Sequence, residues 1–369
     1  MLSSIICSLA NVTYFKLLFS NLTTESYSLM RLIEKVWFKS HFIQWLLVPL
    51  LLPLTLIFTL LTALRRLFYS LNIFKSYAAD QPVIVIGNIS VGGNGKTPTV
   101  ILLIEVCREL GLSPGVISRG YGGKAPHYPY LLNDSSSASE AGDEPILIYQ
   151  RCALPIVVGS DRVASVALLI QQGCDIILAD DGLQHYRLQR QLELIVVDGK
   201  RRFGNGFLLP AGPLREGLWR LKHSDFVIVN GGPQVKNLVD NEIKMQLEAT
   251  HVCHLLTGEK RLISDFLKQH ELINAMAGIG SPERFFSTLT EHNFSLKDTK
   301  AFVDHHDFKQ ADFDYFDNID DTLPLLMTEK DAVKCRRFAK KHWWYLPVDA
   351  LISSEQREQL KTKIKQLKI

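Results

Sequence analysis

The sequence predicts an α/β protein: a P-loop NTPase-type parallel sheet flanked by helices, a second, smaller α/β domain, and an N-terminal membrane helix. Three observations lead there. Residues 83–97 are an apolar strand pattern running into a glycine-rich turn that ends in Gly-Lys-Thr. After them, short β-branched runs alternate with helical patterns, as a parallel sheet with crossover helices requires. Before them, Trp45 to Leu64 carry no charged residue over twenty positions.

The apolar run Val83-Ile84-Val85-Ile86 leads through Gly87, Asn88 and Ile89 into Ser90, Val91, Gly92, Gly93, Asn94, Gly95, Lys96 and Thr97. Glycines at 92, 93 and 95 let the backbone turn tightly enough to aim its N–H groups inward. Lys96 then reaches the β- and γ-phosphates of a nucleoside triphosphate, and the Thr97 hydroxyl holds Mg2+ at the start of the next helix. The G-x-x-x-x-G-K-[ST] pattern asks for glycine at position 90, where this chain has Ser90. The competing reading is a glycine turn with an incidental lysine. It leaves unexplained the buried-type strand before the turn and the apolar helical pattern Val100, Ile101, Leu103, Ile104, Val106 after it.

Further strands are predicted at Val116 to Ser118, Ile156 to Val158, Ile176 to Ala179, Leu194 to Val197 and Phe226 to Val229. In open α/β sheets ligands bind beyond the carboxyl ends of the strands, so the site is expected to gather Arg119, Asp161, Asp180, Asp198 and Asn230. Asp180 and Asp181 end a buried-type strand, where a P-loop enzyme steadies Mg2+ opposite the loop threonine. In an extended chain two neighbouring carboxylates point to opposite sides, one to the metal and one to an acceptor or a basic partner. An Asx-rich turn after a strand is the alternative. A composition shift at 237–260 marks a boundary before a small second unit: a strand at Ile273 to Ala277, a helix at Pro282 to Glu291, and a strand at Leu323 to Thr328.

Outside the core, a formal net charge of +3 over 369 residues gives no argument for nucleic acid. Six cysteines, at 7, 107, 152, 174, 253 and 335, form no C-x-x-C pair, which suits a reduced, cytoplasmic catalytic portion. His251, Cys253 and His254 alternate on an apolar strand and are expected to pack or face water, not to ligate metal. In the apolar segment, Trp45 supplies an aromatic anchor and Arg65-Arg66 a basic flank. Pro49 and Pro53 favour a kinked or re-entrant course, and spanning and lying in the bilayer both stay open. Because ATP is cytoplasmic, everything after Arg65 is placed on that side. Residues 1–29 are mixed in character and end before Met30, so they read either as a non-native extension with translation starting at Met30 or as a genuine disordered segment.

Three more segments are too polar and glycine-marked for plain core: Ser118-Arg119-Gly120-Tyr121-Gly122, Glu140-Ala141-Gly142-Asp143-Glu144-Pro145, and Leu209-Pro210-Ala211-Gly212-Pro213-Leu214-Arg215-Glu216. With these the chain, from about Met30 to its end, resembles the tetraacyldisaccharide 4'-kinase family, membrane-bound enzymes that phosphorylate the lipid A precursor disaccharide in Gram-negative bacteria. The resemblance rests on G-N-I-S-V-G-G-N-G-K-T-P, S-R-G-Y-G-G, A-G-D-E-P, D-D-G-L-Q-H, G-P-L-R-E and D-H-H-D-F, in that order. A non-glycine at position 90 is in keeping with it.

The resemblance implies ATP and Mg2+ on the 92–97 loop, and Asp143 with His305 as the pair that takes the acceptor proton; the choice of His305 over His306 rests on motif position. Thr97, Asp180, Asp181 and Glu144 are then the metal-side candidates, and Arg119 and Arg215 the candidates for phosphate, whose geometry a guanidinium fork suits. The implied layout is an extension at 1–29, a membrane anchor at 30–75, a P-loop kinase core at 76–245 and a C-terminal α/β domain at 246–369. The implied partners are an anionic acylated disaccharide lipid and the bilayer, at the cytoplasmic face of the inner membrane, with no nucleic acid and no obligate protein partner. Lys200, Arg201, Arg202, Arg220 and Lys222 around Phe203, Phe207, Leu208, Leu209 and Trp219 suit an anionic lipid; taken singly, each also suits a solvated loop with core-facing aromatics. Two other readings stay in view: a membrane-tethered P-loop switch NTPase acting on a partner protein, and a soluble small-molecule kinase or synthetase. For the switch, Thr328-Glu329-Lys330-Asp331 approximates the guanine-reading N/T-K-x-D, but its lysine is third, not second.

Overall fold

In the computed structural model the described residues are 25–39, 41–233, 237–319 and 323–367. Of the expected extension at 1–29, residues 1–24 lie outside them, and 25–29 belong to the helix Glu25–Phe38. The described chain divides into two compact units that do not follow chain order: Met1–Asn94 with Asp181–Lys244, and Gly95–Asp180 with Met245–Ile369.

The first unit is built on three parallel strands. Leu192–Asp198 lies between Val83–Gly87 and Phe226–Asn230, in register Ile84 to Leu192 and Asp198 to Asn230. Every residue of the three strands is buried, as expected of strands covered on both faces. Gly87 is needed because a Cβ there would stand 2.5 Å from that of Leu183. Within these strands the buried carboxylate Glu193 bonds Arg190 at 2.9 Å and Arg220 at 2.5 Å, and nearby Glu216 takes Gln184 and Tyr186 at 2.8 and 2.9 Å.

Two helices, Glu25–Phe38 and Gln44–Ser70, belong to the same unit. The second is a single helix of 27 residues with Pro49 and Pro53 inside it, so the expected re-entrant course is not what forms. Each proline removes one i to i−4 bond, and the unbroken apolar run on either side keeps the helix going. At about 1.5 Å per residue it is long enough to cross a bilayer core of about 30 Å. Its faces differ, however. Leu46, Leu50, Leu54, Ile57, Leu60, Leu64 and Leu67 form an exposed stripe at helical spacing. The opposite face is docked: Leu47, Val48 and Phe58 pack on a core of Val36, Trp37, Val91 and Leu209. Thr55 is buried, accepting from Ala211 N at 3.1 Å and donating to Leu51 O at 3.2 Å, while Trp37 Nε1 donates to Pro210 O at 3.1 Å. Hydropathy alone suggests a detachable anchor; the helix is instead an integral wall of this unit.

Besides the antiparallel pairing of residues 246–248 with Asp349–Leu351, the second unit has two groups of strands. In one, Pro114–Ser118 lies parallel between Ile156–Val158 and Ile176–Asp180, with Tyr130–Leu131 antiparallel on Ile156–Val158. The other has six strands, ordered Lys260–Leu262, His251–His254, Trp343–Leu346, Leu325–Thr328, Leu272–Ala277, Ser295–Ala301. The expected strand at 273–277, helix at 282–291 and strand ending at Thr328 are all present in it. Its two faces carry separate cores, one around Phe266 and Trp344, the other around Phe308, Phe313 and Trp343. His254 is tied to Thr257 at 2.9 Å and Lys341 O at 2.7 Å, so it packs as expected.

Thr55→Val keeps the volume but strands the buried Ala211 N–H. It is expected to lower the unfolding free energy by about 1–3 kcal/mol. Chemical denaturation in detergent checks this, and an unchanged midpoint would show that the helix is not docked there.

Candidate active site

The glycine loop starts where Val83–Gly87 ends. Its first half is held by the Gly-Pro-Leu-Arg-Glu stretch: Val91 N donates to Pro213 O at 2.9 Å and Arg215 N to Ile89 O at 2.7 Å. Asn94 Nδ2 donates to Ser90 Oγ at 3.0 Å, and Asn230 Nδ2 to Asn94 O at 3.2 Å. Ser90 is thus a working part of the loop, because its hydroxyl pins the turn. Gly95 then N-caps the helix Lys96–Glu109 with φ of +97°, a left-handed conformation that glycine adopts without penalty. No side chain caps that helix, so its first-turn N–H groups, beside Lys96 and Thr97, are available to an anion.

Within the second unit, the Ser-Arg-Gly-Tyr-Gly-Gly segment presses on the Ala-Gly-Asp-Glu-Pro turn. A Cβ on Gly123 would lie 2.4 Å from Glu140 O, and one on Gly142 would lie 2.7 Å from Tyr121 O. This closeness sets Asp143 as the first residue of the helix Asp143–Cys152. Asp143 Oδ1 accepts from Glu144 N at 3.0 Å, and Oδ2 lies 3.0 Å from His305 Nδ1. His305 sits at φ +61°, and the Tyr121 ring stands 5.1 Å from its own. Its neighbour His306 turns away to Asp312 at 2.9 Å. Burial by itself raises the Asp143 carboxyl, but the His305 hydrogen bond and the charges of Lys330 and Lys334 outweigh it and hold the group down at about 2. Lys330 also touches this pair, and sequence reasoning passed over it. Its only signal was Thr328-Glu329-Lys330-Asp331 as an imperfect base-reading motif. Asp331 is fully buried and accepts from Gly278 N at 2.8 Å and Thr328 Oγ1 at 2.6 Å, so that motif does not present a carboxylate to a base.

The remaining expected residues divide. Asp180, at the end of its strand, takes Ser118 Oγ at 3.4 Å and its carbonyl takes Arg162 at 2.9 Å. Asp181 adopts φ +49° and bonds Arg215 at 3.4 Å. Strand alternation therefore does not separate the two carboxylates; the strand ends at Asp180 and a left-handed turn follows. Asp161 caps the helix Arg162–Gln171, and Asp198 closes a turn on the backbone N–H groups of Lys200 and Arg201, both at 2.9 Å. In both, one carboxylate oxygen serves backbone N–H groups. Lys96, Thr97, Asp143, Glu144, Asp180 and His305 belong to one unit, Ser90 to Asn94, Asp181 and Arg215 to the other.

Among the described residues no three His, Cys, Asp or Glu side chains gather as an all-protein metal cage. Nucleotide-borne Mg2+ needs none, since it is held through one or two protein ligands plus phosphate oxygens. Thr97 with Asp180 fits that donor set, whereas Glu144 is engaged by Lys330 at 3.3 Å. In the basic and apolar stretch the residues also separate. Phe207 and Trp219 are exposed, Leu209 is core, and Arg220 is buried against Glu193 and Glu216.

A glycine loop that opens a helix at the end of a buried parallel strand defines a P-loop nucleotide-binding protein. More narrowly, the chain belongs to the tetraacyldisaccharide-1-P 4'-kinase family, whose model matches residues 47–366. The tetraacyldisaccharide 4'-kinase of Colwellia psychrerythraea is 62% identical over 335 residues, 89% of this chain and 96% of that one. That of Tolumonas auensis is 47% identical over 339 residues, 91% and 98% of the two chains. Among solved structures, LpxK from Aquifex aeolicus in complex with ATP superposes with a TM-score of 0.73 at 26% identity, covering 87% of this chain and 99% of that one.

The depressed Asp143 carboxyl has a pH signature. Its folded value, about 2, lies below the ordinary value near 3.9, so it contributes stability above about pH 4 that is lost as pH falls towards 2. Asp143→Asn is expected to be less stable than the parent by about 2 kcal/mol near neutrality and to converge with it by about pH 2. A constant difference across that range, in urea titrations, would show that the contribution is not the carboxylate's charge.

Proposed function

We propose that this chain transfers the γ-phosphate of ATP to the 4'-hydroxyl of a tetraacyldisaccharide 1-phosphate in lipid A biosynthesis. Family membership carries the activity, and the observation that supports the chemistry is the Asp143–His305 contact of 3.0 Å in a buried setting. A sugar hydroxyl is a poor nucleophile and must lose a proton as the phosphoryl group arrives. A carboxylate held near 2 is a weak base, so Asp143 acts first by orienting the hydroxyl and taking its proton late, with the imidazole spreading the charge.

Lys96 and the first-turn N–H groups bind the β- and γ-phosphates, and Arg215 is assigned to phosphate as well. Thr97 and Asp180 would hold Mg2+, with Asp181 nearby in sequence; bound there, the ion supplies charge neutralisation of the phosphates. The acceptor is an anionic acylated lipid, and no nucleic acid or obligate protein partner enters this reading. We place the protein at the cytoplasmic face of the inner membrane, with the helix Gln44–Ser70 lying in the bilayer surface on its exposed stripe, since its other face is docked on protein. The switch reading is not favoured, because Asp331 is committed inside the fold.

Purified protein given ATP, Mg2+ and tetraacyldisaccharide 1-phosphate is expected to add one phosphate, read by mass spectrometry. Asp143→Asn is expected to lower kcat by about 10²- to 10⁴-fold with KM for ATP nearly unchanged, whereas Lys96→Ala should lose both ATP binding and activity. A main effect of Asp143→Asn on ATP or Mg2+ affinity would move the base elsewhere. For the helix, Leu50→Glu with Ile57→Glu is expected to shift the protein from vesicle pellet to supernatant without changing its melting; continued pelleting would rule out the in-plane arrangement.

A further inference from the structure

We propose that Lys330 is the positioning residue of the Asp143–His305 pair, fixing which imidazole nitrogen carries the proton; this rests on the reading of that pair as the proton acceptor of the kinase reaction. Lys330 Nζ lies 3.4 Å from His305 Nε2, 3.3 Å from Glu144 Oε1, 3.3 Å from Asp304 Oδ1 and 3.8 Å from Asp143 Oδ2. An ammonium has three protons and no lone pair, so towards an imidazole nitrogen it can only donate. Nε2 is therefore the lone-pair nitrogen, Nδ1 carries the proton, and Nδ1–H donates to Asp143 Oδ2. The tautomer is set from both ends.

The surroundings are built for this. Thr328 N-caps the helix Glu329–Cys335, accepting from Asp331 N at 3.1 Å, and Asp331 ties the same turn to Gly278 N at 2.8 Å. Glu329 is fixed by Arg151 at 3.0 Å. Three residues of the Thr-Glu-Lys-Asp motif thus secure the helix start, and the fourth projects towards the pair. Asp143 and Glu144 face Lys330 from one helix, Asp304 and His305 from their loop, and Lys334 is on its own helix, bonded to Asp331 at 2.9 Å. Tyr121, with Arg119 in the same loop, completes the charged and titratable groups of the cluster. Burial disfavours the charge on Lys330, but Glu144, Asp304 and Asp143 more than restore it, so the ammonium persists across the working pH range. The same charge helps to hold Asp143 low, so without it the carboxyl takes a proton at higher pH.

The test compares the full-length parent, Lys330→Met and Lys330→Arg with ATP, Mg2+ and the acylated disaccharide phosphate. No phosphate transfer by the parent would sink the functional reading itself. Given an active parent, Lys330→Met is expected to lose about 10²-fold in kcat with ATP affinity kept, and its acid limb of kcat should move to higher pH. Lys330→Arg should recover part of the rate and return the limb towards that of the parent. A loss in rate with an unchanged pH profile, or no loss, overturns the positioning role. Should Lys330→Met fail to fold, nitrogen NMR of the parent decides independently: the His305 signal, assigned by His305→Gln, must show the Nδ1–H tautomer, and the Nε2–H form overturns the proposal.

Discussion

Asp143 is a carboxylate removed from water, and much of the second unit is arranged to make that tolerable. An unpaired charge at such depth would neutralise itself, so it has to be met by hydrogen bonds and opposite charge. Glu144 N, His305 and Lys330 supply them. Each requirement propagates. Close approach of the Ser-Arg-Gly-Tyr-Gly-Gly loop needs glycine at 123 and 142, where any Cβ would meet backbone. Delivery of the imidazole needs His305 in a left-handed conformation, a cost of order 1–3 kcal/mol that only a well-determined surrounding sustains.

The first unit solves a different problem, a helix with two solvents. Its apolar residues run all round, which hydropathy cannot distinguish from a free-standing span. What decides is Thr55, one of three threonines in the middle of the helix. Thr55 spends its hydroxyl on Ala211 N, a bond possible only if that face meets protein. A helix committed along one side offers its other side, and the exposed leucines fall there at spacings of three and four.

The fold was largely legible because its signals are local and periodic. All-apolar β-branched runs, the glycine loop and the helix at 282–291 need only neighbours in sequence to declare themselves. The passages between units at 94 and 95 and at 180 and 181 were invisible, since they fall inside motifs and reflect contacts between distant segments. In the site, Asp143 and His305 could be named through resemblance, but their contact spans 162 positions and no spacing rule reaches that far. A carboxylate serving backbone N–H groups, as Asp161 and Asp198 do, has the same sequence appearance as one serving a metal. Lys330 was hidden by a motif whose lysine stands in the wrong place for the function it resembled.

Two buried ionic groups show how structure and function divide the same physics. In the first unit Arg190 and Arg220 meet Glu193 and Glu216, charge for charge, with Tyr186 and Gln184 completing the hydrogen bonds. Such a network is neutral and can be sealed from water, and its value lies in fixing the segment that carries Arg215. Around His305, three carboxylates lie within 4 Å of Lys330 Nζ, and the charges of Lys334 and Arg119 act on the same cluster. The deepest of the three, Asp143 at 5% side-chain exposure, receives the imidazole, while Glu144 and Asp304, at 33% and 32%, meet Lys330 at 3.3 Å and keep part of their surface in solvent. A cluster partly open to water contributes less to stability than a sealed one. It remains able to hold a proton or an incoming hydroxyl, which a saturated network cannot do.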